Sequence, residues 1–347
     1  MTTIRLLGMI LGSVFFVILF LQFRARRLWR VDFFWGTLFS LGLITVSLWP
    51  ETVSALRDML LLRATEFSRL IALLVVSTLL IWLLLISQRA KHAKLSHQFD
   101  ILVRRLTLQE FKNFYVDLRQ FSPIVVIIPA YNEAQNIGRV IQAIPSAIES
   151  LQTAVLVIDD GSQDDTLAQA RAVGGFAIRP PFNRGGGAAL RCGYDIAQEM
   201  GAKIVVTMDA DGQHDPTEMA GLIRPILEDR YDFMIGSRLL GTREKDSWVR
   251  LAGIYFFNFI IRLLTGVKIT DCSNGFRAFR IRDLARILLL QDQYHTSELI
   301  IDAAKKGVRL GEAPVTVRVR AQGHSKKGGN VMYGLQFARA ILKTWWR

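Results

Sequence analysis

Pro123-Ile124-Val125-Val126-Ile127-Ile128-Pro129-Ala130-Tyr131-Asn132-Glu133 is the stretch on which the fold turns. A run rich in β-branched residues stops at a proline-containing turn, and Ile137, Val140, Ile141 and Ile144 then recur at helical spacing. Strand, turn and amphipathic helix in that order make the first βα unit of an α/β domain. The unit repeats. Residues 154–158 form a second apolar run, followed by Asp159-Asp160-Gly161-Ser162-Gln163-Asp164-Asp165 and a helical segment over 166–172. Residues 203–208 form a third, followed by Asp209-Ala210-Asp211-Gly212-Gln213-His214. Acidic, glycine-bearing turns at the carboxyl ends of strands are where open α/β sheets bind ligands.

The residue types in these turns point to phosphate and sugar chemistry. Asp209 and Asp211 present two hard oxygen ligands in one turn, which suits Mg²⁺ or Mn²⁺ shared with a diphosphate. Asp159 and Asp160 offer acceptors to a ribose or a base. The chain has no Gly-x-x-x-x-Gly-Lys-Ser/Thr loop, which excludes a P-loop NTPase. Asn183-Arg184-Gly185-Gly186-Gly187 has two readings, a close approach to phosphate or a flexible turn before a helix over 188–200.

The rest of the chain is of a different character. Its 347 residues allow one catalytic domain plus an accessory region, and 51% of them are hydrophobic. A mean hydropathy of +0.27 fits a few spanning helices joined to a soluble domain. Apolar runs cover residues 4–23, 33–49 and 70–87, each about the length that crosses roughly 30 Å of hydrocarbon. A cleaved signal peptide would carry its charges before the first run, but Arg24, Arg26, Arg27 and Arg30 follow it. The loop after the first run is basic, the loop 51–69 is balanced, and Arg89, Lys91, Lys94, Arg104 and Arg105 follow the third run. That bias places the N-terminus outside and everything after residue 88 in the cytoplasm. The net charge of +13 fits an anionic membrane surface better than nucleic acid, because basic residues flank the apolar runs. Cys192 and Cys272 have neither metal-ligand spacing nor a disulfide framework.

Three further segments read as amphipathic. In 89–121, Phe99, Leu102, Val103, Leu106 and Leu108 recur at near-helical spacing, on a helix that lies on the membrane or packs on the next domain, or in a solvated linker. Residues 251–264 are apolar except for Asn258 and Arg262 and too few to span; they make an interfacial helix or a core helix. Residues 331–346 put Gln336, Arg339, Lys343 and Arg347 on one face, with Leu335, Ile341, Leu342 and Trp345 elsewhere. The Trp345-Trp346-Arg347 end suits a headgroup layer.

The three turn motifs together resemble those of the family 2 glycosyltransferases with a GT-A fold, a Rossmann-like mixed sheet. Gly236-Ser237-Arg238, Asp271-x-x-Asn274-Gly275-Phe276-Arg277 and Arg320-x-x-Gly323-x-Ser325-Lys326 extend the resemblance, narrowly to the dolichyl-phosphate mannosyltransferase and polyprenyl-phosphate hexosyltransferase branch. The front of the chain is similar to the three-span region often fused to such transferases. The organisation implied is a three-span anchor over 1–88, an amphipathic connector over 89–121, a GT-A domain over 122–327 and a C-terminal interfacial helix over 328–347.

The resemblance also implies roles. Pro129, Tyr131, Glu133, Asp160, Asp209 and Arg238 would meet the nucleotide sugar, a GDP- or UDP-hexose. Asp209, Asp211 and Gln213 would hold the metal, Mg²⁺ or Mn²⁺. Arg250, Asn274, Arg277, Ser325 and Lys326 would meet the phosphate of a polyprenyl or dolichyl acceptor in the bilayer, and Asp211, Arg238, Arg320 and Lys326 would be catalytic. Two positions depart from the family pattern: Gly186 replaces a usual lysine, and Asn274 a usual Ser or Cys. The expected reaction is metal-dependent inverting hexose transfer, with GDP-mannose favoured over UDP-glucose. A processive polysaccharide synthase would carry a Gln-x-x-Arg-Trp motif and later spans, and neither is present. A non-catalytic membrane scaffold would not need Asp209, Asp211, Arg320 and Lys326 intact.

Overall fold

The computed structural model describes residues 3–24, 30–49, 51–59, 68–115, 122–244, 248–284, 286–320 and 330–346. Two compact units divide at residue 95, Met1–Leu95 and Ser96–Arg347.

The first unit is helical. It holds α1 (Thr3–Arg24), α2 (Arg30–Leu48), α3 (Glu51–Met59) and the start of α4 (Ser68–Phe114). Gly8 and Gly12 stand one turn apart on α1, against Ser40, Ile44 and Ser47 of α2, where an added Cβ would collide. Small residues at that spacing let two helices approach closely in lipid, where packing replaces the hydrophobic effect. Only 6% of the α1 span Arg5–Arg24 is buried, whereas a core helix of a soluble protein would be mostly buried. Among the described residues this is the one helix long and apolar enough to cross a membrane; the apolar part of α2, Phe33–Leu48, is shorter. The third apolar run, 70–87, ends as expected, but the helix that carries it does not. α4 continues without a break for 47 residues, about 70 Å at 1.5 Å per residue.

The second unit begins on α4 and continues through β1 (Ile124–Ala130), α5 (Ala134–Ala143), β2 (Ala147–Ile148), β3 (Leu151–Asp159), α6 (Thr166–Ala172) and β4 (Phe176–Ile178). Then come α7 (Gly186–Glu199), β5 (Ile204–Thr207), α8 (Met219–Leu227), β6 (Phe233–Arg243), α9 (Trp248–Thr265) and β7 (Arg277–Arg280). The chain closes with α10 (Ile281–Leu284), α11 (His295–Lys305), β8 (Leu310–Val317) and α12 (Asn330–Trp346). The strand order is β2-β3-β1-β5-β7-β6-β8, with β4 on β3. β3, β1 and β5 run parallel, β7 is antiparallel to both its neighbours, and β8 is parallel to β6. The sheet is therefore mixed α/β, as expected.

Both faces of the sheet are covered. Val125 and Ile127 join one core with Leu156, Ile158, Val205 and α7, while Val126 and Ile128 join the other with Val157, Val206, α5 and α8. A strand buried on both sides needs an unbroken apolar run, which is why 124–128 shows no alternation.

The connector is part of this unit. Its buried stripe is Asp100, Val103, Thr107 and Phe111, while Phe99, Leu102 and Leu106 are exposed. Arg104 donates to Asp195 of α7, Lys112 pairs with Glu199, and the Tyr115 hydroxyl accepts from Ala177 N at 2.9 Å. From residue 96 to 115 it packs on the catalytic domain, which excludes the solvated linker; 116–121 lie outside the described residues. Truncating Phe111, 1% exposed and 4.8 Å from the Tyr115 ring, is expected to cost about 3–5 kcal/mol. A melting curve of Phe111→Ala that superimposed on wild type would contradict this packing.

Candidate active site

β3, β1 and β5 are parallel neighbours, so the turns that follow them open at one edge of the sheet. The first two are knitted together. Asn132, held at φ 52°, donates its N–H to Ser162 Oγ at 2.8 Å, and its side chain accepts from Gln163 N at 2.7 Å. Asparagine tolerates that left-handed conformation better than most residues. Glu133 N donates to Thr166 Oγ1 at 2.8 Å and Ala134 N to Asp164 Oδ2 at 3.1 Å. The Ser, Asp and Thr of the second turn thus shape the first.

The paired acids after β3 have different lives. Asp159, fully buried, accepts from Ser162 N at 2.9 Å and from Arg179 Nε and Nη2 at 2.8 and 2.6 Å. That corrects its reading as a ribose or base acceptor: its lone pairs are committed to the fold. Asp160 accepts two backbone amides, Arg184 N at 2.9 Å and Gly185 N at 2.6 Å. Burial pushes its carboxyl up against the pull of those amides. Gly185, at φ 97°, makes the wrap possible without strain. Gly187 donates to Asp292 O at 2.7 Å, where a Cβ would collide with the 291–292 backbone. The glycine-rich segment is therefore no flexible turn. It leads into α7, which starts at Gly186, two residues before the expected 188, and Gly185 and Gly187 serve close backbone contacts.

The third turn meets the far end of the domain. Arg320 Nη2 lies 3.1 Å from both Asp211 Oδ2 and Glu133 Oε1, and its Nε lies 3.3 Å from Asp211. Glu133 also accepts from Asn136 Nδ2 at 2.9 Å. One guanidinium thus gathers the turn after β1, the turn after β5 and the segment after β8. Gly275 faces Asp209: an added Cβ would stand 2.8 Å from Asp209 Oδ1, so any side chain there would cover the carboxylate.

Two hard carboxylates two residues apart in one turn, Asp209 and Asp211, fit Mg²⁺ or Mn²⁺. Among the described residues no set of three His, Cys, Asp or Glu could hold a metal, so a bound ion would take its remaining oxygens from substrate or water. Gln213, the third expected ligand, is held through its amide nitrogen and not through the side-chain oxygen that would meet a metal. Its side-chain amide donates to Arg318 O at 2.8 Å, while Arg318 N returns a bond to Gln213 O, which makes it a clasp between turn and strand.

A second wall comes from β6 and the loop before β7. Arg238, 4% exposed, donates Nε to Asp271 Oδ2 at 2.6 Å and Nη2 to Ser273 Oγ at 3.3 Å. Its Nη1 is buried and, among the described residues, has no acceptor. An orphaned guanidinium donor is costly unless an oxygen ligand reaches it. The loop is held from behind by Glu312, which accepts from Thr270 N and Asp271 N at 2.9 and 3.0 Å.

Two acceptor-phosphate expectations fail here. Arg277 is 1% exposed and spends Nε, Nη1 and Nη2 on Asn274 O, Thr296 O and Cys272 O at 2.7, 2.6 and 2.9 Å. Burial among carbonyls pulls it down to about 10. Asn274, equally buried, donates to Gly236 O at 2.8 Å and accepts from Phe276 N and His214 Nε2. Both are buried and turned into the loop that they build. Pro129 and Tyr131 are half-buried at the end of β1 and in the turn after it. Arg250 stands in the first turn of α9 with its side chain outside the described set, and Ser325 and Lys326 lie outside the described residues. Arg179 and Glu312 were missed from sequence, because a charge 20 to 41 residues from its partner leaves no local signal.

The description "Glycosyl transferase family 2" matches residues 125–288. A protein of Methanocaldococcus jannaschii called uncharacterised is 35% identical over 224 residues, 63% of this chain and 90% of that one. A UDP-N-acetylglucosamine–dolichyl-phosphate N-acetylglucosaminyltransferase of Methanococcus voltae is 31% identical over 63% of this chain and 94% of its own. A polyprenol monophosphomannose synthase of Mycolicibacterium smegmatis is 35% identical over 61% and 84%. Among solved structures, glucosyl-3-phosphoglycerate synthase of Mycobacterium tuberculosis, in complex with Mn²⁺, UDP and glucosyl-3-phosphoglycerate, superposes with a TM-score of 0.52 at 20% identity. It covers 69% of this chain and 84% of that one, a likeness of fold.

Arg277→Ala is expected to melt well below wild type, since stranded buried carbonyls cost about 1–3 kcal/mol each, whereas Arg320→Ala, on the rim of the site, is expected to melt near it. Equal melting temperatures in the two variants would contradict this division between a structural and a functional arginine.

Proposed function

The chain belongs to glycosyl transferase family 2, and from that premise we propose that it moves a hexose from a nucleotide sugar to a polyprenyl phosphate at the cytoplasmic face of a membrane. The observation that carries the site assignment is Arg320 bridging Glu133 and Asp211, which draws turns 78 residues apart to one charged point. GDP-mannose is the donor we favour, the sugar being supported by the name of the relative in Mycolicibacterium smegmatis. The relative in Methanococcus voltae keeps a UDP-linked hexose as the alternative. The acceptor class rests on the same names, in which dolichyl phosphate and polyprenol monophosphate both occur.

The mechanism follows from charge. A phosphate monoester is largely ionised at pH 7, its second pKa being about 6. One of its oxygens attacks the anomeric carbon, the bond from that carbon to the β-phosphate oxygen breaks, and configuration inverts. No proton moves, so no general base is needed; Asp271, the acid nearest the acceptor loop, is committed to Arg238. Asp209 and Asp211 would hold Mg²⁺ or Mn²⁺, which would supply Lewis-acid stabilisation to the leaving diphosphate. Arg320 and the orphaned Nη1 of Arg238 bring fixed donors to where charge develops. Asp160 is the acceptor for the base, with Tyr131 and Pro129 beside it. Arg250, Ser325 and Lys326 meet the acceptor phosphate.

Two helices support a lipid acceptor. On α9, Tyr255, Phe256, Phe259 and Leu263 are 56–69% exposed along one stripe, with Arg262 at its end. The opposite face holds Asn258, which donates to Thr270 O and accepts from Cys272 N at 3.0 Å, so the helix is tied to the loop that carries Asp271. Asn258 is buried on the packed side, and Arg262, one turn further along the same side, is exposed at its border. On α12, Phe337, Ala340 and Ile341 are buried and Leu335, Leu342 and Trp346 exposed, beside Arg339 and Lys343. Ile341 thus faces the core, and the outer face is mixed. An aromatic stripe beside basic groups suits an anionic headgroup layer. The proposed anchor is the three-span region, N-terminus outside, supported by the basic and balanced loops.

Membranes containing the chain, incubated with radiolabelled GDP-mannose, UDP-glucose and UDP-N-acetylglucosamine plus polyprenyl phosphate, are expected to yield labelled lipid from one donor. Asp211→Ala is expected to lose at least about 10²-fold in rate. Full activity in that variant would remove the assigned site, and no labelled lipid from any donor would remove the reaction.

A further inference from the structure

Asp100 belongs to none of the motifs above, yet it is 6% exposed on the packing stripe of α4. Its Oδ1 accepts from Arg184 Nη1 at 2.6 Å and from Arg191 Nη2 and Nε at 2.7 and 3.2 Å. Both arginines also reach Asp292, Arg184 through Nη2 at 3.2 Å, and Arg191 Nη1 donates to Gln291 O at 3.0 Å. Next to Asp100, the Phe99 ring sits 5.3 Å from that of Phe182 and lies under the Arg184 guanidinium. Residues 182–184 are thus gripped by α4 on one side and by 291–292 on the other. Burial pushes the Asp100 carboxyl up, but Arg191 and Arg184 outweigh it and hold it below the usual carboxylate range.

The gripped turn is the one whose backbone amides hold Asp160: Arg184 N and Gly185 N take one carboxylate oxygen each. We propose that Asp100 is a positioning residue for donor binding, fixing through Arg184 the turn that aims Asp160 at the nucleoside. This rests on the assignment of Asp160 above. A plain fold staple behaves differently, and the structure contains one for comparison. Arg104 and Asp195 join the same two helices, α4 and α7, through Nε–Oδ2 at 2.6 Å; Arg104 also stands 3.6 Å from Asp100 Oδ2, the oxygen that Arg184 and Arg191 do not use, and neither residue touches 182–185.

The test is calorimetric titration of the full-length protein in detergent with GDP and with UDP, each with Mn²⁺, beside a melting curve for every variant. Asp100→Asn keeps the volume, removes the charge and leaves two buried guanidiniums to share Asp292. It is expected to weaken whichever nucleotide the wild type binds by at least about tenfold, well below its melting temperature. Arg184→Gln is expected to do the same, and the double variant to be no worse than either, because both break one chain of contacts. Asp195→Asn is expected to melt lower yet bind as wild type. Binding within twofold of wild type in Asp100→Asn, or in Arg184→Gln if the first does not fold, overturns the proposal. Equal weakening in Asp195→Asn also overturns it. If Asp160→Ala binds as wild type, or the wild type binds neither nucleotide, the assignment of Asp160 falls and takes the proposal with it.

Discussion

Buried carboxylates need partners, and the catalytic unit is organised around that requirement. Asp159, Asp211, Glu133 and Asp271 are all at most 8% exposed and cluster at the ends of strands or in the loops beside them. Each is met by a guanidinium: Arg179 for Asp159, Arg320 for Asp211 and Glu133 together, Arg238 for Asp271. Breaking the fully buried pair of Arg238 and Asp271 leaves an uncompensated buried charge, a loss of about 3–5 kcal/mol, whereas Arg320 stands on the open rim, where water can take its place. The arginines that neutralise these acids come from different parts of the chain, so the same contacts that make the acids tolerable also fix the loops of the site. Asp160 is the exception. It takes two backbone amides in place of a guanidinium, which leaves its carboxylate with acceptor capacity for a ligand.

The half of the fold around β1 was legible in the sequence because its signals are local. The runs 124–128 and 154–158 lie inside β1 and β3, the run 203–208 brackets β5, and the helix over 166–172 is α6 with the same bounds. The other half was not. β7 is four residues with an arginine at each end, and nothing in Arg277-Ala278-Phe279-Arg280 announces a strand between two antiparallel neighbours. The C-terminal part of α4 misleads for a physical reason. Its buried stripe contains Asp100 and Thr107, whose polar groups are satisfied by Arg191 and by Val103 O, while Leu102 and Leu106 point outward. Apolar spacing alone therefore picks the wrong face.

The site residues divide along the same line. Asp211, Glu133, Arg238 and Arg320 come together as charged groups that reach one another across the sheet edge or stand in its wall. Arg277 and Asn274 sit in the same family pattern but turn inward, where a guanidinium and an amide replace the backbone partners that the 272–276 loop lacks. A motif shows which residues a loop requires. Whether a residue is required by substrate or by the loop depends on its burial and partners, and these are set by segments distant in sequence. The glycines at 185 and 187 teach the same lesson, since what they approach closely is Asp160 and the 291–292 backbone.

We propose that the donor diphosphate is received where Arg320 meets Asp211, in the turn that also carries Asp209. A structure determined with Mn²⁺ and the bound nucleotide tests it most directly, the ion located by its anomalous scattering. Mn²⁺ is expected on the Asp209 and Asp211 carboxylates, the base edge at Asp160, and diphosphate oxygens on Arg320. Mn²⁺ ligated elsewhere, with the bridge from Arg320 to Glu133 and Asp211 intact, would contradict it.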